Sequence, residues 1–421
     1  MFEKTTLRNG LRIITVPQET ARAVTALVLV GTGSKYENKE NNGISHFLEH
    51  LYFKGTEKRP TPLAVIEPLD KVGAIYNAFT SEEYTGYFAK VKSSHIDLAL
   101  DWISDIYLNS LLPPKEIEKE RGVIIEEINM YLDMPMLYIG ELWKKLLHGD
   151  QPAGWEVIGT KENIANITRQ QILDYMRSQY VAANTIICLA GKFSKADIIN
   201  KVKKYFSKIN TTNFKTKFPV IEKQNKPQAL LYHKKTDQTH LTLGVRAYNL
   251  SHPKRFAQEV LGVILGGMMS SRLFLEIRQK LGIAYYIKTN DYSDPDTGCL
   301  VTQAGIDNKN VERAISIILR EYKKISQKIT PAEELKKAKE YIKGKTALEL
   351  ESSDAQAAFY AGQELLEDRM LAPEEIYKRI DKVTQNDILE IAKEFFRPER
   401  LNLALIGPFK DKNKFEKLLK L

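Results

Sequence analysis

The chain has 421 residues, 43% hydrophobic and 27% charged, and its 62 lysines and arginines against 53 acids give a formal charge of +9. That balance excludes a collagenous, coiled-coil or disordered chain, and at ~150 residues per domain the length predicts two or three globular domains. Two cysteines, Cys188 and Cys299, exclude a disulfide framework and a thiolate metal site. Both lie in apolar segments, the usual setting of buried free thiols, so a reducing compartment fits best.

The first residues, Met1 to Gly10, lack the apolar core of a secretory signal and the acid-free, arginine-rich helix of an organellar presequence. Alternating strands are predicted at Leu11–Val16 and Val24–Val30. The second is the longest early apolar run and is far short of the ~20 residues that span a bilayer. A cytoplasmic protein without membrane attachment is expected. A polar loop follows near Tyr36 to Asn42, and Asn42-Gly43 opens an apolar-periodic helix. Strand patterns return at Ala74–Phe79 and Tyr84–Val91. Helices are expected over Ile96–Leu108 and from Pro113-Pro114 to Asp133, where Met134-Pro135 stops the second.

Asn210 to Gln228 is polar, holds two prolines and has no apolar period, which reads as a linker. Beyond it the order of elements recurs: a strand at His240–Val245, a helix at Phe256–Leu265, strands at Ala284–Thr289 and Cys299–Ala304, and helices at Val311–Ile325 and from Pro331. The segment Leu111 to Lys119 resembles Ile329 to Lys337 at an offset of 218 residues, which sets Pro113 on Pro331. The chain is therefore read as a duplication: an N-terminal half at 1–209, a linker at 210–228 and a homologous half at 229–421. Each half is expected to be an α+β unit, an antiparallel-rich mixed sheet covered by helices. The basic residues are interleaved with acids, as in Lys115 to Arg121, so the excess charge points to solvated helix faces and not to a nucleic-acid partner.

The chemistry-bearing motif is His46-Phe47-Leu48-Glu49-His50 on the first helix. One turn apart, the two imidazoles lie roughly 40° from each other and away from the stripe of Ile44, Phe47, Leu48 and Leu51. That spacing lets both grip one Zn²⁺, with Glu49 beside them, in the inverted H-x-x-E-H arrangement. A chance match has a probability on the order of 1%, so context has to confirm it. The context is a third ligand on the helix after Pro114, whose apolar stripe runs through Ile117, Ile124, Ile125, Ile128 and Leu132. Glu127 flanks that stripe and Glu126 points nearly opposite to it, so the helix face favours Glu127 as ligand. Glu120, seven residues earlier, shares the face and is read as an accessory carboxylate. At the 218-residue offset Glu120 meets Ala338 and Glu127 meets Lys345, so one zinc per chain is expected.

These motifs, with Phe53-Lys54-Gly55-Thr56, Asn77-Ala78-Phe79-Thr80-Ser81 and Glu120-Arg121-Gly122-Val123-Ile124-Ile125-Glu126-Glu127, resemble the pitrilysin/insulinase family of zinc peptidases, in particular its short-chain mitochondrial-processing-peptidase-like branch. The resemblance covers essentially the whole chain and implies the processing-peptidase/LuxS-like metallohydrolase architecture. In the family's register the third ligand lands on Glu127, whereas a straight count from His50 allows Glu126. A second pattern, Leu265 to Phe274 followed by Ile277-Arg278 and Gly282-Ile283-Ala284-Tyr285, maps the family's carbonyl-holding pair onto Arg278 and Tyr285. The resemblance further implies that the strand edge at Asn77, Ala78, Phe79 and Thr80 pairs with an extended peptide. The activity expected is zinc-dependent endopeptidase action on unfolded peptides within a clamshell, with Glu49 as general base. The expected partners are peptide substrates and a second copy of the chain, with a heterodimer as the alternative assembly. The other functional class considered is a non-catalytic binding or assembly subunit of the same fold.

Overall fold

The computed structural model describes residues 2–421. Among these the strands form two sheets. The first contains β1 (Glu3–Thr6), β2 (Arg12–Pro17), β3 (Ala23–Val30), β4 (Ile75–Thr80), β5 (Thr85–Lys92) and β6 (Thr185–Gly191), in the order β1-β2-β6-β3-β5-β4. The second contains β7 (Gln228–His233), β8 (Gln238–Arg246), β9 (Ala284–Ser293), β10 (Gly298–Asp307) and β11 (Leu401–Gly407), in the order β7-β11-β8-β10-β9. In each sheet one neighbouring pair is parallel, β2 with β6 and β7 with β11, and the remaining pairs are antiparallel. Apart from β1, the two orders correspond strand for strand. The fold class is thus α+β with two mixed sheets, each strongly antiparallel and covered by helices.

Sequence pattern and position agree. β6 (TIICLAG) and β11 (LNLALIG) are buried along their full length, so they read as near-continuous apolar runs, broken in β11 only by the buried Asn402, and not as alternations. Cys188 sits in the first of these central strands, and burial pushes its thiol up, far from reactive thiolate behaviour. Cys299, in β10, accepts a 3.3 Å hydrogen bond from the Trp143 indole. Both cysteines are free and buried. No helix among the described residues is long and apolar enough to cross a membrane.

Two compact units emerge, and they depart from the linear division into 1–209 and 229–421. The first takes residues up to Met130, Trp155–Phe218 and Leu348–Leu371; the second takes Tyr131–Gly154, Pro219–Ala347 and Ala372–Leu421. Each unit has gained a helix from the other stretch of sequence. Helix Ser353–Glu367 lies on β2, β3 and β6, where Ala357, Tyr360 and Ala361 join a core of Ile14, Leu27, Leu29 and Ile186. Its alanines one turn apart let the backbone approach the sheet closely. Polar contacts fix it as well: the buried Glu364 carboxylate takes the Lys4 ammonium at 2.9 Å and the Arg12 guanidinium at 3.5 Å, and Ser353 and Thr25 share a 2.8 Å hydrogen bond. Its counterpart, helix Pro135–His148, lies on β7, β8 and β11 in the second unit, packing Tyr138, Ile139 and Leu142 against Ala404 and Ile406. A linear reading cannot anticipate this, because both helices carry ordinary amphipathic stripes that would fit either sheet.

Candidate active site

The first helix, Ile44–Leu51, begins at Gly43, whose backbone is left-handed at φ 98°. A Cβ there would stand 2.8 Å from the Ile158 carbonyl oxygen, so only glycine admits this entry. Ile44, Phe47, Leu48 and Leu51 are fully buried, which fixes the helix's rotation and turns His46, Glu49 and His50 to the other side. The second contributor, helix Pro114–Asp133, buries Ile117, Ile124 and Ile128 and holds Glu120 and Glu127 on a flank of that stripe. Glu126 is exposed and accepts a 3.3 Å hydrogen bond from Asn129, away from the histidines.

Two helices thereby bring three donor atoms together. The Glu127 Oε2 lies 3.7 Å from His46 Nε2 and 3.5 Å from His50 Nε2. Among the described residues, His46, His50 and Glu127 form the group able to hold a metal ion, with one ligand atom each and all within 4.8 Å. Tetrahedral ligands at zinc bond lengths stand about 3.3 Å apart, so two imidazoles and one carboxylate at these separations fit that ion. The Nδ1 of His50 is 3.2 Å from Glu120 Oε2, and Glu120 Oε1 takes the Lys54 ammonium at 2.8 Å. A carboxylate behind a ligating imidazole selects the tautomer with Nε2 free, and Lys54 in turn balances that carboxylate.

The charges follow from this geometry. Burial and the neighbouring His50 lower His46 to about 4, with Glu127 opposing them. Burial works against the charged form of His50 as well, but hydrogen bonds to Glu120 and Glu127 outweigh it and lift the group to about 9. Glu120 is held below the usual carboxylate range because hydrogen bonds from His50 and Lys54 overcome its burial. Glu127 is lowered by its hydrogen bond from His50. Glu49 moves the other way: burial raises its proton affinity although Thr80 Oγ1 donates to it at 2.5 Å and His50 favours its charge. One carboxylate beside the cluster is thus biased toward holding a proton while the two facing the histidines are biased toward charge.

The strand edge expected at Asn77 to Thr80 is β4, an edge strand of its sheet, paired on one side with β5. Asn77 Oδ1 accepts from the Ala78 N–H at 2.9 Å, Ala78 is buried, and Phe79 packs edge-to-face on Tyr84. Thr80 turns inward to Glu49, a contact the spacing of the motifs gives no sign of. Arg278 and Tyr285 belong to the second unit, where the guanidinium lies 5.8 Å from the Tyr285 ring centroid and 5.6 Å from that of Phe274. Tyr285 is exposed, and Arg278 sits on a π-helical stretch, Phe274–Lys280, a local widening common at functional positions. Sequence reasoning also missed Lys54: it follows the helix end, and only the folded turn returns it to Glu120.

Comparison with known proteins places this geometry. Residues 12–160 match the model of the insulinase (peptidase family M16) domain, and residues 166–342 match that of the M16 inactive domain. The chain is 34% identical to the uncharacterised zinc protease YmxG of Bacillus subtilis, over 97% of this chain and 98% of that one. It is 31% identical to an uncharacterised zinc protease of Streptomyces coelicolor, over 97% and 90%. A crystal structure of a protease from Helicobacter pylori superposes with a TM-score of 0.90 at 23% identity, covering 97% of this chain and 99% of that one, which shows a shared fold. With two helices presenting an H-x-x-E-H motif and a glutamate to one point, and relatives named zinc proteases along its full length, the chain belongs to the insulinase family of peptidases, family M16.

Proposed function

We propose that the protein is a zinc-dependent endopeptidase that cleaves extended, unfolded peptides, with one zinc per chain held by His46, His50 and Glu127. The observation that carries this is the convergence of those three side chains, with Glu49 on the same helix close enough to His50 and Glu127 to feel their charges. A zinc ion in this donor set supplies a Lewis acid that polarises a peptide carbonyl and makes water nucleophilic near neutral pH.

The protein's own residues do the rest. Glu49 is the general base: its carboxylate takes a proton from the attacking water and delivers it to the leaving amine. Its raised proton affinity suits both transfers, and the Thr80 hydroxyl fixes which oxygen faces the substrate. Glu120 keeps the His50 Nδ1 protonated, so that Nε2 stays available. The free edge of β4 adds a peptide strand through backbone hydrogen bonds, which supply affinity without demanding one sequence. Asn77, on that edge, is assigned to assist at the site on the family resemblance. Arg278 and Tyr285 are assigned to the substrate carbonyl on the family resemblance, and the working assembly is a homodimer, with a heterodimer as the alternative to be separated by mass measurement in solution.

The test is digestion of a mixed peptide library by the purified protein before and after treatment with a chelator, with metal content measured in parallel. About one zinc per chain, cleavage abolished by the chelator and cleavage restored by added zinc are expected. Cleavage that persists in metal-free protein would remove the proposal.

A further inference from the structure

The two candidate ligands of the first helix are aimed by different means. His50 has an orienting partner of its own, Glu120 at its Nδ1. The Nδ1 of His46 is buried and has no hydrogen-bond partner among the described residues. With no hydrogen bond behind it, the His46 ring is set by its contacts with His50 and Glu127 in front and by the backbone of the first helical turn behind. That turn begins at a glycine, which offers no capping side chain, in a helix of only eight residues.

The missing cap comes from outside the helix. Glu37, 1% exposed, follows the short 3₁₀ turn Ser34–Tyr36 and directs both carboxylate oxygens at the helix entrance. Its Oε2 accepts from the Gly43 N–H at 2.8 Å and from the Asn42 side-chain amide at 2.9 Å, while its Oε1 accepts from the Ser45 N–H at 2.9 Å. Two otherwise unpaired N–H groups of the first turn thus close on one rigid carboxylate, immediately before His46. The Ser45 hydroxyl adds a second anchor: it is 2.7 Å from the Tyr175 hydroxyl, which is 2.7 Å from Thr32 Oγ1. Burial works against a charge on Glu37, and the donors of this cradle work for it.

We infer that Glu37 is the positioning residue for His46, fixing the axial height and rotation of the helix's first turn so that the Nε2 meets Glu127 and His50 at the metal. The inference rests on the zinc reading above, and it assigns to the two histidines separate orienting carboxylates: Glu120 acts on one imidazole directly, Glu37 on the other through backbone.

The test compares Glu37→Gln with Glu364→Gln, a second buried carboxylate of the same unit that holds helix Ser353–Glu367 far from the motif in sequence. Zinc dissociation constants are measured by chelator competition, and visible spectra are recorded on cobalt-loaded protein, each variant well below its own melting midpoint. Glu37→Gln is expected to weaken zinc binding roughly 10–100-fold and to change the cobalt spectrum, as substitutions behind metal ligands do. Glu364→Gln should lower the melting midpoint and leave both readouts unmoved. If Glu37→Gln does not fold, Glu37→Asp, too short to reach both N–H groups, is read in its place with the same expectation. A zinc affinity within twofold of the parent, with an unchanged cobalt spectrum, overturns the inference. If the unsubstituted protein binds no zinc at all, the peptidase proposal falls first and this assignment with it.

Discussion

The helix that follows the second strand of the shared topology appears once in each unit, as Ile44–Leu51 and as Arg255–Gly262, and each copy carries a glutamate whose proton affinity is raised. Their surroundings differ. Glu49 is desolvated but lies among Thr80, His50 and Glu127. Glu259 is desolvated against a second carboxylate, Asp291, and reaches about 7, with Arg255 and Lys345 opposing the rise. Asp291 is itself lifted to about 6 by burial, though Gln258 and Ser293 hydrogen-bond it. The same scaffold thus yields a candidate proton-transfer group in one copy and a strained carboxylate pair in the other. The long helices differ as well: where the first copy places Glu120 and Glu127, the second has Ala338, fully buried, and Lys345. A fold positions side chains, and the side chains carry the chemistry.

The sharpest way to break this contrast is Glu49→Gln, which should keep the metal and lower peptide cleavage by roughly 10²–10⁴-fold, the usual contribution of a general base. Initial rates on a defined peptide, normalised to metal content, are the measurement, and near-parental rates would strip Glu49 of its role. Next in size is Ala338→Glu, which copies Glu120 into the second unit without supplying a histidine or a lysine. An uncompensated carboxylate at a fully buried alanine should cost about 3 kcal/mol in denaturant unfolding and add no zinc. A stable variant that binds a second metal would erase the distinction between the copies.

A third variant, Glu259→Gln, reads the contrast through pH. A carboxyl raised from 4.5 to about 7 on folding gives stability that is present at low pH and is lost as pH climbs through that interval. The amide removes the loss, so the variant should match the parent near pH 4 and exceed it at pH 8 by about 3 kcal/mol. Thermal melts across pH provide the check; parallel curves for the two proteins would show that Glu259 titrates as it does unfolded.

Much of this was legible in the sequence because it rests on local periodicity. The rotation of helix Ile44–Leu51 follows from four apolar residues, and the choice of Glu127 over Glu126 follows from the isoleucine stripe of its helix; the structure places the exposed acid and the inward one on those sides. The duplication was visible in the order of elements and one short match, and the sheets repeat it strand for strand. What escaped was non-local. Thr80 lies on the strand edge expected to bind peptide, and its hydroxyl also meets Glu49 across 31 positions. Glu37 and Lys54 stand in loops without period, and their partners are set by how those loops close. β6 and β11 left no alternation to find, since both faces of a central strand are covered.

The reciprocal placement of helices Pro135–His148 and Ser353–Glu367 has a consequence for inheritance. Once a duplicated gene gives rise to copies that finish one another's cores, neither copy can be deleted, transplanted or expressed by itself without baring an apolar sheet face to water. From then on the half without a metal motif is retained for the wall it receives and the wall it lends. Its side chains are free to diverge in chemistry while its helix Ser353–Glu367 answers to the first unit's sheet. A fragment ending in the linker would show this directly as an insoluble product, made soluble by supplying the missing half in the same cell.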